Sequence, residues 1–268
     1  MMMQQEVTRS PQIDLLLISK EVEKAAQEAG RILLTYYEGE LSRSYKGDGS
    51  FATQADIAAE QHLIKALQPL VPGAGFYAEE SGIVAGNDYA WVIDPLDGTT
   101  NFAHGVPYFC TAIALTYKQE PVLGVIYQPL LKHLFSAQKG NGAYLNGERI
   151  SVSSETRLTE SLLAVWFDTG EASFALGKEM PSSQFSFRNP GAGALDLAYC
   201  AAGRFDACFY QGAYWWDYAA GALLIEEAGG KVSTFHGERV NPGNRTFVGG
   251  NEPIFTQLSP ILRKTFGV

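Results

Sequence analysis

Residues 91–102 carry the residue types best suited to chemistry, in the order Trp-Val-Ile-Asp-Pro-Leu-Asp-Gly-Thr-Thr-Asn-Phe. The apolar residues 91–93 predict a buried strand that leads to two carboxylates, Asp94 and Asp97. Pro95 has no N–H and prevents a regular strand or helix from continuing, so the carboxylates and nearby carbonyls can turn toward one point. Carboxylate and carbonyl oxygens are the ligands that hard divalent cations prefer. The pattern therefore indicates a cation site.

The three residues after Asp97 suit an anion. Gly98, Thr99 and Thr100 supply main-chain N–H groups where a short helix can begin, and a helix N-terminus attracts phosphate. Aspartate, glycine and threonine at this spacing are also common in turns and helix caps. Taken with the carboxylates, the stretch favours a divalent cation bound beside a phosphate.

Hydrophobic periodicity predicts the elements that must position these residues. Helices are predicted at residues 12–38, 54–69, 194–202, 217–228 and 253–264, and strands at 75–78, 90–94, 109–117, 121–127, 133–138, 162–167, 205–210, 231–233 and 246–249. Hairpin-type turns are predicted at Gly140, Gly142 and Asn146-Gly147, while residues 168–189 stay undecided. Because helices and strands interleave without a strict βαβ rhythm, sheets between helix layers are the favoured architecture.

Composition limits the classes of function. The 268 residues suit one large domain or two closely packed halves, and the net charge of −9 argues against nucleic acid as a partner. The longest apolar runs, such as 109–117, are too short to span a bilayer, and the N-terminus lacks a signal-peptide pattern. The three cysteines lack metal-type spacing and are expected to be reduced, so the cytoplasm is the expected location.

The 91–102 stretch as a whole resembles the signature of the inositol monophosphatase family, the Mg-dependent, lithium-sensitive phosphomonoesterases. Two more motifs match in order: Glu79-Glu80-Ser81, and residues 216–221 (Trp-Asp-Tyr-Ala-Ala-Gly) followed by 226–230 (Glu-Glu-Ala-Gly-Gly). The resemblance implies an α+β fold, a layered α-β-α-β-α sandwich with metals between its halves, and a homodimer. We expect a disordered leader at 1–11, an N-terminal half at 12–150 and a C-terminal half at 151–268, forming one catalytic unit.

The resemblance also implies a set of ligands for two or three Mg²⁺ ions. Asp94 would bridge the ions, Asp97 would be a second carboxylate ligand, and Leu96 would bind through its main-chain carbonyl. Glu79 would bind metal and help to activate the attacking water. Asp217 would bring the C-terminal half into the site.

Ordinary structural roles remain open for these acids. Glu79 and Glu80 could form a solvated pair, and Glu80 is expected to point away because neighbouring side chains alternate in an extended chain. Asp217 opens a predicted helix, where aspartate is a common cap.

Thr99 and Asp56 form a further pair in the resemblance. The Thr99 hydroxyl would contact the water, Asp56 would accept its hydrogen, and the N–H groups of Gly98 and Thr99 would hold the phosphate. Thr53-x-x-Asp56 also resembles a helix capping box, and Thr99 could cap its own helix. Both roles of Asp56 can hold together.

The predicted substrate contacts are Asp97, Gly193, Tyr210 and Asp217, and the chain departs from its relatives at some of them. Tyr210 lies seven residues before Asp217, where relatives usually carry a glutamate that grips substrate hydroxyls. A carboxylate accepts two hydroxyls, whereas tyrosine offers one OH and a stacking face. Ala192 and Gly193 also replace residues that relatives often carry, so inositol specificity is uncertain.

The expected function is Mg-dependent hydrolysis of a small phosphate monoester by a metal-activated water, with inositol monophosphate first. The ending Thr99-Thr100-Asn101-Phe102 favours the inositol branch over the nucleotide branch. Histidinol phosphate, or another sugar or nucleotide phosphate, is the alternative substrate. A partner-binding protein with a vestigial site is the second alternative.

Overall fold

The computed structural model describes residues 13–46, 51–167 and 186–267, and the predicted leader at 1–11 lies outside them. The helices are α1 (Leu15–Tyr36), α2 (Gln54–Leu67), α3 (Thr99–Ala103), α4 (Gly193–Ala201), α5 (Trp215–Glu227) and α6 (Glu252–Phe266), with a 3₁₀ turn at Leu158–Glu160. The strands are β1 (Arg43–Tyr45), β2 (Phe51–Thr53), β3 (Gly75–Ala78), β4 (Gly82–Val84), β5 (Tyr89–Asp97), β6 (Cys110–Tyr117), β7 (Glu120–Gln128), β8 (His133–Gln138), β9 (Gly142–Leu145), β10 (Glu148–Ile150), β11 (Leu162–Phe167), β12 (Ser186–Arg188), β13 (Ala207–Gln211), β14 (Lys231–Ser233) and β15 (Thr246–Gly250).

Two large sheets organise the described residues. The first has the order β10-β9-β8-β7-β6-β5-β3-β4 and is antiparallel except where β3 runs parallel to β5. The second has the order β12-β11-β13-β15-β14, with β11 parallel to both of its neighbours. β1 and β2 form a separate antiparallel hairpin. Asp94 and Asp97 lie on β5 of the first sheet, whereas Asp217 lies on α5, which follows β13 of the second sheet in the chain.

Helix layers alternate with the sheets and enclose three apolar cores. α1 and α2 cover one face of the first sheet, α4 and α5 lie between the sheets, and α6 covers the far face of the second sheet. The largest fully buried side chains include Trp91 under the first layer and Trp215 in the central layer. The predicted α+β class and α-β-α-β-α sandwich are confirmed.

α1 shows why the periodic sequence folds as it does. Ile18, Val22, Ala26 and Leu33 recur at helical spacing and are buried against the first sheet. Asp14 accepts hydrogen bonds from the first main-chain N–H groups and fixes the start of the helix. No helix in the described part of the chain has the length and apolar character needed to cross a membrane.

The structure adds strands that the sequence pattern did not predict, namely β1, β2, β4, β9 and β10, each of three or four residues. β12 falls in the undecided stretch, most of which lies outside the described residues. The Asn146-Gly147 turn is present between β9 and β10, and both residues have the positive φ of a type I′ hairpin.

Candidate active site

Asp94 lies at an irregular point of β5. The strand pairs regularly with β6 up to Asp94, and pairing resumes only at Asp97. Pro95 interrupts the ladder as predicted, although the strand continues to Asp97 instead of ending at Asp94. The Asp94 side chain is buried and accepts the Leu96 N–H at 3.0 Å. Such a bulge changes the direction in which side chains leave a strand.

Glu79 directly follows β3, the strand predicted at residues 75–78. Its N–H donates to the carbonyl of Ile93 on neighbouring β5 at 3.1 Å, which holds it beside the acidic stretch. Lys46 Nζ lies 2.8 Å from Oε1 of Glu79 and 2.7 Å from Oε1 of Glu80. The expectation that Glu80 points away is therefore wrong, because the chain turns after β3 and both acids reach one ammonium group.

The chain turns sharply at Gly98 on its way into α3. Its φ of +87° lies in the left-handed region that favours glycine, and a Cβ there would lie 2.9 Å from the Tyr108 carbonyl oxygen. α3 begins at Thr99, and the first N–H groups of a helix have no partner within it. The turn predicted to seat an anion is therefore present as a local geometry.

Asp56 joins α2 to this turn. Its Oδ1 lies 3.1 Å from the Thr99 hydroxyl oxygen, and its Oδ2 accepts the N–H and hydroxyl of Thr53 at 2.8 and 2.6 Å. Burial raises the pKa of Asp56, although the hydrogen bonds from Thr53 oppose the rise. Asp56 thus closes the capping box of α2 and contacts Thr99 at the same time.

Asp97 connects the two sheets by capping α4. Its Oδ1 accepts the N–H of Gly193 at 3.1 Å, and its Oδ2 accepts those of Ala194 and Leu195 at 2.7 and 3.2 Å. Burial raises the pKa of Asp97 to about 7 in spite of these bonds. An acid of the first sheet therefore holds the start of a helix that packs on the second.

Asp217 is the third residue of α5, whereas the sequence predicted it as the first. The helix begins two residues earlier, at Trp215, and Asp217 accepts the Tyr214 N–H at 2.6 Å in a capping box. Burial raises the pKa of Asp217 to about 7, and the charge of Asp97 adds to the rise. The helix-cap role is thus real and coexists with a place beside the other acids.

The four acids lie within one another's electrostatic field. Burial raises the pKa of Asp94 well above its ordinary range, and the charges of Glu79, Asp97 and Asp217 raise it further. Burial also raises the pKa of Glu79 to about 7, although Lys46 opposes that rise. The structure therefore brings together the acids predicted from both ends of the chain, and cations would relieve their repulsion.

The donor chemistry fits a hard divalent cation, although the oxygens are turned to other partners. Among residues 13–46, 51–167 and 186–267, no three His, Cys, Asp or Glu side chains converge as a ready-made metal site. The oxygens instead accept N–H groups or contact Lys46, and the Leu96 carbonyl accepts the Thr99 hydroxyl at 2.9 Å. A carboxylate oxygen that accepts a single hydrogen bond, such as Asp97 Oδ1, keeps a lone pair for a cation, whereas Asp97 Oδ2 accepts two N–H groups.

A cavity of about 160 Å³ opens beside the acids and contains every predicted substrate contact. It is lined by Asp97, Trp166, Asn189, Gly191, Ala192, Gly193, Asp196, Tyr210, Ala213 and Asp217. The Tyr210 hydroxyl donates to the carbonyl of Gly193 at 3.1 Å, and its ring is buried beneath the cavity. The residue that replaces the usual glutamate is therefore part of the cavity wall.

Sequence reasoning missed three residues near the site. Lys46 lies in a short stretch without periodic pattern, and only the folded hairpin brings it to Glu79. Trp166 faces the cavity because β11 pairs with β13, which cannot be read locally. Asp196 gave a usable signal, since it is a single acid on the otherwise apolar helix α4.

Comparisons with known proteins agree with this fold and arrangement. A family model described as the inositol monophosphatase family matches residues 15–264. An inositol-1-monophosphatase of Mesorhizobium japonicum is 39% identical over 251 residues, which cover 90% of this chain and 94% of that protein. A Nus factor SuhB of Pseudomonas aeruginosa is 39% identical over 248 residues, covering 88% and 92%. The crystal structure of the extragenic suppressor protein suhB from Bartonella henselae matches with a TM-score of 0.88 and 36% identity, covering 94% of this chain and 99% of that one.

Proposed function

The chain belongs to the inositol monophosphatase family of phosphoric monoester hydrolases, and from that premise we propose that it hydrolyses small phosphate monoesters with the help of Mg²⁺. The observation that supports this most strongly is the acidic cluster itself. The charges of Glu79, Asp97 and Asp217 all raise the pKa of Asp94, so these side chains lie close together although they come from distant parts of the sequence. Such a cluster is unfavourable without cations.

The proposed ligands for Mg²⁺ are the carboxylates of Glu79, Asp94, Asp97 and Asp217 and the carbonyl of Leu96, for two or three ions. When bound, the ions supply Lewis acidity that makes a water more acidic and neutralises phosphate charge. This role agrees with the oxygen-only donor set and the burial of Asp94.

The other residues hold the phosphate and move a proton. The N–H groups of Gly98 and Thr99 orient the phosphate oxygens, as a helix start suits an anion. Asp56 Oδ1 lies within hydrogen-bond distance of the Thr99 hydroxyl, so when the hydroxyl oxygen takes a proton from the attacking water, the hydroxyl proton can pass to Asp56. Glu79 assists as a second proton acceptor.

Inositol monophosphate is the first substrate to test, because the relative from Mesorhizobium japonicum is named an inositol-1-monophosphatase. Histidinol phosphate is second, because Tyr210 stands where relatives usually carry the glutamate that grips sugar hydroxyls.

Phosphate release from inositol 1-phosphate and histidinol phosphate, with Mg²⁺ and with EDTA, tests the proposed activity. We expect turnover only with Mg²⁺, inhibition by Li⁺, and at least a ~100-fold loss in Asp94→Asn, since metal stabilisation is worth several kcal/mol. Near-normal Mg-dependent turnover by a folded Asp94→Asn protein would refute the assignment.

A partner-binding role is the second candidate, and the name Nus factor SuhB of a relative at 39% identity favours it. The presence of every expected carboxylate argues for catalysis instead. A folded protein that releases no phosphate from any tested monoester would favour the binding role.

We further propose one catalytic unit made of an N-terminal half (12–150) and a C-terminal half (151–268), assembled as a homodimer in the cytoplasm. The Asp97 contact with α4 supports the single unit, and three buried free thiols, Cys110, Cys200 and Cys208, suit a reducing compartment.

A further inference from the structure

The cavity beside the acids has the size of a single six-membered ring. Its volume of about 160 Å³ compares with an engineered protein cavity of about 150 Å³ that accepts benzene. Asp97 and Asp217 are part of the cavity lining, whereas Gly98 and Thr99, which are proposed to hold the phosphate, are not. The cavity therefore lies where the alcohol part of a phosphate ester would sit.

Two aromatic side chains form one wall of this cavity. Trp166 of β11 and Tyr210 of β13 are register partners on neighbouring parallel strands, which places both side chains on the same face of the sheet. A Cβ added at Gly193 would lie 3.7 Å from the Tyr210 ring, which is ordinary van der Waals contact, so the glycine and the ring form this part of the wall together. Ala192 and Ala213 add small apolar surfaces. The wall is suited to a flat apolar group.

Three polar side chains of the cavity lining, those of Tyr210, Asp196 and Asp97, already have partners. The Tyr210 hydroxyl donates to Gly193, and Asp196, only 2% exposed, accepts the Tyr108 hydroxyl at 2.6 Å. Asp97 accepts three N–H groups of α4. With Tyr210 in place of a glutamate, a ring bearing several hydroxyls would lose hydration here and gain fewer acceptors in return, which disfavours its binding.

We propose, on the basis of the proposed phosphatase activity, that this cavity selects phosphate esters whose alcohol carries one aromatic or apolar six-membered ring over esters of polyols. Inositol monophosphate is then accepted but is not the preferred substrate. Tyr210 and Trp166 determine this specificity.

Benzyl phosphate and inositol 1-phosphate are suitable probes, because both release an aliphatic alcohol with one six-membered ring. The ring of benzyl alcohol is aromatic and carries no hydroxyl, whereas that of inositol is saturated and hydroxylated at every carbon. We expect kcat/KM with Mg²⁺ to be at least ten times higher for benzyl phosphate. Benzylphosphonic acid, which is not an ester and cannot be hydrolysed in this way, gives an equilibrium readout by calorimetry. We expect Trp166→Ala to weaken its binding at least tenfold.

Substitutions at Tyr210 separate the ring from its hydroxyl. Tyr210→Phe keeps the ring and should keep the preference, whereas Tyr210→Glu should shift the kcat/KM ratio at least tenfold toward inositol 1-phosphate. Tyr199→Phe is a matched control, since it removes another tyrosine hydroxyl, partly buried and bonded to Gln128 at 2.8 Å, from outside the cavity lining. If Tyr210→Glu does not fold, the wild-type ratio and Trp166→Ala still decide the question.

The outcomes distinguish the two proposals. Hydrolysis of neither ester, nor of histidinol phosphate, overturns the proposed activity and this inference with it. Hydrolysis with inositol 1-phosphate equal to or better than benzyl phosphate overturns the inference alone. Unchanged benzylphosphonate binding in Trp166→Ala also overturns it.

Discussion

Asp97 Oδ2 lies 2.7 Å from the main-chain nitrogen of Ala194, so a carboxylate of the first sheet caps a helix packed on the second. Ala192, the residue before α4, provides no side-chain cap of its own. The proposed metal site and the ring-sized cavity therefore share one carboxylate. A change at Asp97 should affect both.

Asp97→Ala removes the acceptor of three N–H groups at the start of α4. We expect amide hydrogen exchange of residues 193–195 to become at least ten times faster in EDTA, because these three N–H groups lose the carboxylate that accepts them. Asp217→Ala is the matched control and should expose the amide of Tyr214 instead. Unchanged exchange at 193–195 would contradict the capping role.

Thr99→Val keeps the shape of the side chain and removes its hydroxyl. Since positioned proton transfer contributes about 10²–10⁴-fold, we expect kcat to fall at least ~100-fold. Thr99→Ser, which keeps the hydroxyl near Asp56, should retain most of the activity. Steady-state kinetics at saturating Mg²⁺ decide this, and a Thr99→Val enzyme with wild-type kcat rules out the proposed proton path.

The stability of the metal-free protein should depend on pH through Asp217. Burial raises its pKa to about 7 from an ordinary value of 3.8, so the folded state holds this proton more tightly than the unfolded chain. The free energy of unfolding contributed by this group is therefore greatest below the unfolded pKa and falls as the pH rises toward 7.

Urea unfolding in EDTA at pH 5 and pH 8 measures this dependence. Asp217→Asn has no titrating carboxyl group at this position, so its stability relative to wild type should increase from pH 5 to pH 8. Mg²⁺ should stabilise the wild type more at pH 8 than at pH 5. A stability difference between wild type and Asp217→Asn that is equal at both pH values would refute the expected linkage.

Asn101 connects the short helix α3, at whose start phosphate is proposed to bind, to the loop before α4. Its Nδ2 donates to the carbonyls of Tyr108 and Pro190, both at 2.8 Å. Asn101→Ala should lower the free energy of unfolding by about 1–2 kcal/mol, since two hydrogen bonds are lost, and should raise KM several-fold.

Asn87→Ala is the control for this change. The Asn87 side chain also makes two hydrogen bonds, since its Nδ2 donates to the Pro72 carbonyl and its Oδ1 accepts the Tyr89 N–H, but it lies outside the cavity lining. It should lose comparable stability and keep its KM. If both variants change KM equally, Asn101 has no special role at the site.

Local patterns predicted the long elements well. The periodic residues of α1 and the Asn146-Gly147 pair each determine a structure within a few residues of chain. Short strands such as β4 escaped prediction because three residues show no period, and Ile83 and Val84 lie on an exposed edge.

The site was predictable in part. The acids could be found because their spacing follows strand ends and helix starts. The sheet register that places Trp166 beside Tyr210 could not, nor could the hairpin that brings Lys46 to Glu79, because both depend on pairing between distant segments.

The central claim is that acids from both ends of the chain together hold the divalent cations. Calorimetric titration of Mg²⁺ into the EDTA-treated, dialysed protein tests this most directly, with Asp94→Asn and Asp217→Asn compared with wild type. We predict that the wild type binds Mg²⁺ and that each variant binds at least tenfold more weakly. Wild-type affinity in folded Asp217→Asn, or no Mg²⁺ binding by the wild type, would contradict the claim.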